Sequence, residues 1–430
     1  MRLKLLTISQ TILLSLFITP VVYANNYLGI GSLFNVSSSG TPANLNITLC
    51  LNSSGPISCQ NYSVTGLTLS ISTNIPNHSY PNAGIKINTA GYTPSGCSLI
   101  SNGYCVFSAS QNTPDSIAIA ENNPTSFSYP MVAITAPGNS ADITGFGAVN
   151  YQYEIGKYDV TTSQYTDFLN SVAQTDTYGL YNSNMGTDLN IAGISRSGSS
   201  GSYSYTVMSN SGDSSNRPIT YVSWINAARF ANWMANGRPT GAEDSTTSEN
   251  GAYDLSTIDE NLENLNPEAP SKNNVNPNTN NAPTYYIPTE NQWYKAAYYD
   301  PELDSDMGGY YLYPTQSNTA PGNSIGSSAN QSNYFTTVFS LTQESIYISM
   351  EQNYLTDVGA FSNSASYYGT FDQGGLVWQW NDLDGTELPY RGLRGGYWWS
   401  GSIPLQSVLY STDSITRASN DIGFRLAGPV

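Results

Sequence analysis

Residues 371–380 read FDQGGLVWQW. Gly374 and Gly375 permit a tight backbone entry that includes positive φ. Leu376-Val377-Trp378-Gln379-Trp380 then reads as a strand. Trp378 and Trp380, two apart, share one face, and Val377 and Gln379 share the other. Asp372 stands just before the turn, and Gln379 is a polar residue in an otherwise apolar strand. An oxygen-bearing side chain, glycine carbonyls and a second oxygen side chain are the ingredients of a hard-cation site. The plainer reading is a core strand with a glycine bulge.

The surrounding chain narrows the choice. Its 430 residues suffice for two or three domains. Only 10% of them are charged, well below the usual level of about a quarter. Tyr, Gly, Ser, Thr and Asn fill the gap, which predicts a surface of neutral hydrogen-bonding groups. A net charge of −17 offers no basic footprint for nucleic acid or for an anionic membrane surface.

Residues 1–24 read as a secretory signal peptide: Arg2 and Lys4, an apolar run over 5–22, then Val22-Tyr23-Ala24 at the cleavage positions. Export to the periplasm, the cell surface or the medium is therefore expected, with no membrane span in the mature protein. In an exported chain Cys50, Cys59, Cys97 and Cys105 imply disulfides. Three pairings are open, and the two local loops Cys50–Cys59 and Cys97–Cys105 are favoured. No cysteine follows Cys105, and the one histidine is His78.

Residues 25–110 alternate and turn like a small all-β, sandwich-like domain. No catalytic constellation appears there. Residues 111–141, punctuated by Pro, Asn, Ser and Gly, read as a linker. The second domain, 142–430, mixes helices and strands. Thr161-Thr162-Ser163 caps a helix with the apolar stripe Tyr165, Phe168, Leu169 and Val172. A second helix carries Ala227, Ala228, Phe230, Ala231, Trp233 and Met234 and stops at Gly237-Arg238-Pro239. A third starts at Pro288-Thr289-Glu290 and carries Trp293, Ala296 and Ala297. Residues 240–282 are polar and read as a mobile surface insertion.

Five motifs occur in order: EIGKYDVT, PITYVSWINAARFANWM, YIPTENQWYKAA, GGLVWQW, and LRGGYWW with GFRLA. Together they resemble the formylglycine-generating enzymes, the sulfatase-modifying factor family. The resemblance spans about 142–428 and implies an α+β, C-type lectin-like fold. It also implies a copper site of two cysteines between the LRGG and GFR motifs. That segment has none here, and Cu(I) requires soft thiolates. A related branch holds iron with three histidines, which one histidine cannot supply. Neither copper nor iron is expected. The resemblance further implies structural Ca²⁺. Matched residue by residue, one site takes Asp372 (side chain), Gly375 and Val377 (carbonyls) and Gln379 (side chain). The family usually has Asn and Glu at the two side-chain places. The other site takes Asn333 (side chain) and the carbonyls of Tyr334 and Phe361. The carboxylate that should precede Phe361 is replaced by Gly359.

The resemblance also implies that the segment lacking the cysteines can form a variable, ligand-facing surface, as in binding proteins of this family branch. Trp398, Trp399, Ser400, Ser402 and Tyr410 are the candidate ligand-binding residues there. The plainer reading of Trp398-Trp399 is one ring in the core and one covering a loop. Arg391, Arg394 and Arg425 are expected to pair with buried carboxylates, with Asp159 and Glu290 as candidates. The favoured function is a non-catalytic binding protein for a protein or glycan ligand. An altered oxidoreductase of the family and a purely structural surface protein are the alternatives.

Overall fold

The computed structural model describes residues 127–430, apart from 257, 259–268, 345–346 and 384–388, together with the backbone of nine strands between residues 33 and 121. The chain divides into two compact units, 1–122 and 123–430.

The first unit holds two sheets. Four strands run in the spatial order Thr68–Ser72, Leu33–Ser39, Ser116–Glu121, Tyr92–Ser95; five run Ser58–Thr65, Asn44–Leu51, Tyr80–Ile87, Tyr104–Ala109, Leu99–Ser101. Cys50 and Cys59 are register partners across one antiparallel pair. Their side chains, Cys97, His78 and residues 1–24 lie outside the described residues. We propose Cys50–Cys59 as a cross-strand disulfide on this register; peptide mapping without reductant should recover that linkage, and a Cys50–Cys105 peptide would exclude it.

The stretch 111–141 is more than a linker. Its Ser-Ile-Ala-Ile-Ala-Glu run is a strand of the first unit, and Met131–Ile134 (β1) is a strand of the second. Pro and Asn punctuation masks two short alternating segments.

In the second unit β1 pairs antiparallel with β2 (Tyr153–Gly156), which also pairs with β7 (Ala427–Pro429). The start and the end of the domain are thereby closed in one sheet. Helix α1 (Thr162–Val172) begins in a full capping box, Thr161 with Gln164, and buries Tyr165, Phe168, Leu169 and Val172. Helix α2 (Trp224–Ala235) is capped by Ser223 and buried nearly all round. Helix α3 (Glu290–Tyr298) repeats the capping box with Thr289 and Gln292. Phe168 and Phe230 meet edge to face at 5.4 Å, which joins α1 to α2.

The central sheet has the order β5 (Ser411–Ser414), β4 (Tyr390–Arg394), β3 (Trp378–Asn381), β6 (Ile422–Gly423). Strand β3 starts two residues later than expected. Gly375 and Leu376 sit at φ 78° and 62°, outside any strand conformation. Both faces of β3 are covered: Trp380 and Gln379 are fully buried, and Trp378 packs against the core.

Residues 240–282 are not a mobile excursion where they are described. Arg229 of α2 binds Glu249 at 2.9 Å. Asn232 Nδ2 donates to the carbonyls of Ser248 (2.7 Å) and Tyr253 (3.0 Å), and Asn236 Nδ2 to those of Thr247 and Asn250. A polar insertion packs here because Asn side chains satisfy the carbonyls that no ladder serves. Glu243 is buried in the same region. Its Oε2 accepts the Tyr178 N–H at 2.8 Å, and its Oε1 has no partner among the described residues. Burial pushes its pKa up to about 7 from 4.5, against the Tyr178 bond, with Asp176 adding to the rise. The folded state thus keeps this proton to higher pH than the unfolded chain. That stability is complete below pH 4.5 and is lost as pH rises through about 7. Glu243→Gln should therefore match the wild type at pH 4 and exceed it by about 3 kcal/mol at pH 8. Urea unfolding at the two pH values measures the difference.

Candidate functional site

Beneath β3 the loop 371–377 is fixed by glycine geometry and by side chains from distant elements. A Cβ on Gly375 would lie 2.2 Å from the Asn333 carbonyl oxygen, so only glycine fits there. The Gly375 N–H donates to the Gly395 carbonyl and the Leu376 N–H to that of Asn333, both at 2.7 Å.

Gln379 reaches into this loop from β3. Its Oε1 accepts the indole N–H of Trp293 at 2.7 Å and the Nε–H of Arg425 at 2.8 Å. Its Nε2 donates to the Asp372 carbonyl at 2.7 Å. Arg425 continues outward. It donates to the Gly156 and Lys157 carbonyls, to Asp159 Oδ1 at 3.1 Å and to the Phe371 carbonyl at 2.7 Å. The Asp372 carboxylate turns away from its own loop and accepts the Gly359 N–H at 2.6 Å. Burial raises the pKa of both acids. Asp159 is pushed up to about 8 against the Arg425 charge, with Asp372 adding to the rise. Asp372 is pushed up to about 6 against the Gly359 bond and Arg425.

In this arrangement the side chains of the expected calcium ligands make contacts within the protein. Both polar atoms of Gln379 are engaged, and one is an N–H donor facing the loop. Members of the second set also make hydrogen bonds within the protein. Asn333 Nδ2 donates to the Tyr354 carbonyl at 3.1 Å. The Tyr334 carbonyl accepts from Asn323 and Ser340, and the Phe361 carbonyl accepts from the Ser364 N–H. Val377 is a buried core residue packed with Leu376 and Trp398.

The segment between Arg394 and Phe424 separates the five candidate ligand residues. Trp398 is 1% exposed and Trp399 is 48% exposed. Tyr354, Trp398 and Trp399 form a pile, with ring centroids 5.1 and 5.7 Å apart and interplanar angles of 3° and 16°. Trp398 is thus a core residue and Trp399 the exposed end of the pile. Ser400 is buried and closes a turn: its Oγ accepts the Tyr397 N–H at 3.1 Å and donates to the Tyr397 carbonyl. Its hydroxyl is used within that turn. Ser402 leads into the 3-10 turn Ile403–Leu405 and is partly exposed. Half-exposed Tyr410 lies elsewhere, edge-on to Phe146 at 5.8 Å and over the Arg394 guanidinium.

The three arginines pair as carboxylate anchors. Arg425 binds Asp159, and Arg394 binds Glu290. Arg391 binds Asp382 at 2.9 Å. Asp382 follows β3 directly, in line with the register that sets Asn381 opposite Gly392. That signal is present in the sequence once the β3–β4 pairing is known. Nothing local points to Trp293 as the partner of Gln379, 86 residues away. Replacing Arg425 by Lys keeps the charge and loses the planar fork of five donors. Arg425→Lys should cost about 3 kcal/mol or more in chemical denaturation; a loss below about 1 kcal/mol would show that the fork is dispensable.

Comparison with known proteins agrees with the motif order. Residues 147–429 match the family described as "Sulfatase-modifying factor enzyme 1-like domain". Solved structures similar to this chain include CarF (17% identity, 70% of this chain and 99% of that one, TM-score 0.37). Treponema denticola variable protein 1 (14%, 70% and 95%, 0.35) and PvdO from Pseudomonas aeruginosa (13%, 70% and 92%, 0.32) are others. Among curated proteins there is no match. The chain belongs to the sulfatase-modifying factor enzyme 1-like family, and its second domain carries that family's α+β, C-type lectin-like fold.

Proposed function

We propose that this chain is an exported, non-catalytic binding protein whose ligand face is built on Trp399. The observation that carries this reading is the stacked pile. A large ring left 48% exposed is ordinarily a mobile liability, but here its inner face rests on the buried Trp398 ring, which is itself stacked on Tyr354. Its outer face is a rigid platform that loses little entropy on binding. Support also comes from chemistry. No cysteine follows Cys105 and the one histidine is His78, so the thiolate and imidazole ligands of the family's redox metals are missing from this domain.

A protein partner suits the face better than a glycan. The same loop exposes Ile403 and Val408, while the Ser400 hydroxyl is spent on its own turn. Sugar sites need free polar groups beside the aromatic ring, whereas protein interfaces take aromatic anchors flanked by aliphatic side chains.

Panels of surface proteins and of glycans, probed with the full chain and with Trp399→Ala, test this. A protein ligand should bind the wild type and bind Trp399→Ala about tenfold or more weakly, while stability falls by only about 1 kcal/mol. Trp398→Ala, by contrast, should cost about 3 kcal/mol or more through its cavity. Glycan binding would replace the protein partner. Silence on both panels would leave a structural surface role. Stoichiometric copper or iron with oxygen consumption would make the chain an enzyme.

A further inference from the structure

The loop 371–377 carries unusual stress for a segment without secondary structure. Asp372 and Leu376 both adopt left-handed backbone, at φ 60° and 62°, which costs each non-glycine residue about 1 kcal/mol or more. Such conformations persist only where the surroundings impose them. Gln379 turns an N–H and not an oxygen toward this loop, because its oxygen already accepts from Trp293 and Arg425.

We infer that the side-chain amide of Gln379 does the work a cation would do: its Nε2–H draws in the Asp372 carbonyl, and the loop needs no metal at this place. The orientation of the amide is dictated by its neighbours. Trp293 Nε1 and Arg425 Nε are donors in every protonation state that matters, so the atom facing both must be the oxygen. The nitrogen then faces Asp372, where it makes a 2.7 Å bond. Gln379, Trp293 and Arg425 are each fully buried, so this bond is not exchanged for one to water.

A glutamate at the same position reverses the arrangement. One carboxylate oxygen keeps the two donors. The other stands where Nε2 stood and faces the Asp372 carbonyl oxygen, acceptor against acceptor. The repulsion is relieved by a hard cation between oxygen ligands or by a proton on the carboxylate. A single substitution thus converts a metal-free clamp into one that requires a metal.

The test compares the full chain and Gln379→Glu in EDTA and in millimolar CaCl₂, following unfolding by tryptophan fluorescence. All seven tryptophans lie at 224 or beyond, so the signal reports the second domain alone. In EDTA the variant should melt about 5 °C or more below the wild type at pH 7.5. Calcium should raise the variant by at least about 5 °C more than the wild type. Lowering the pH to 5 in EDTA should recover part of the deficit, because the introduced carboxyl regains a donor once protonated. Equal melting of the two proteins in EDTA would show that the N–H holds nothing. An equal calcium response in both would show that the cation requirement was never exchanged. Either result overturns the inference, and a variant too unstable to purify in EDTA but recovered folded with calcium supports it.

Discussion

A single buried guanidinium ties the second domain together. Arg425 sits just after β6 and donates to the end of β2 through Gly156 and Lys157, to Asp159, to the Phe371 carbonyl and to Gln379 of β3. All three nitrogens of its fork are used, on segments far apart in sequence. Its desolvation is offset only because each donor finds an oxygen. The first sheet, the central sheet and the loop beneath β3 therefore share one cation. The two buried acids near it have raised pKa values because one guanidinium does not compensate two carboxylates removed from water.

The same logic explains the composition. Few charges and many amides predict a neutral surface, yet much of the amide content is internal. Asn190, Asn210, Asn232, Asn276, Asn323, Asn333 and Asn353 are all buried. Several of them use both N–H bonds of one NH₂ group on two backbone carbonyls: Asn190 on Ser349 and Gln352, Asn210 on Leu189 and Ala192, Asn323 on Tyr334 and Val338. A fold with this much irregular chain leaves carbonyls without a ladder. Asn is a compact neutral double donor, and it meets that need without burying a charge.

Local signals are therefore legible in the sequence and long-range ones are not. The capping boxes Thr161/Gln164 and Thr289/Gln292 and the apolar stripe of α1 appear in the structure as the sequence reads. Motif order identifies the family and the fold. Gln379 is ambiguous in the sequence because an amide offers an oxygen and an N–H with equal ease, and only Trp293 and Arg425 decide which one faces the loop. The insertion misleads because polar composition says nothing about whether a partner waits for each group. Ser400 and Trp398 read as surface candidates because, in irregular chain, neither period 2 nor period 3.6 tells which neighbour points outward.

The proposed ligand face gains its freedom from how its backbone is held. Arg394, paired with Glu290, donates to the carbonyls of Ser407 and Leu409. The Phe335 N–H binds the Ser400 carbonyl, and the Ser407 N–H binds that of Leu312. These anchors grip main chain and ask nothing of the side chains at 399, 402, 403 or 408. Trp398 fills the core in place of its neighbour, so the outer face of Trp399 is left open. Specificity can therefore change along this loop at small cost in stability. The clamp at Gln379 and Arg425, where every contact is made by a particular side-chain atom, has no such latitude. The domain thus keeps its side-chain-specific contacts beneath β3 and exposes Trp399 on a loop whose main chain is held from several sides.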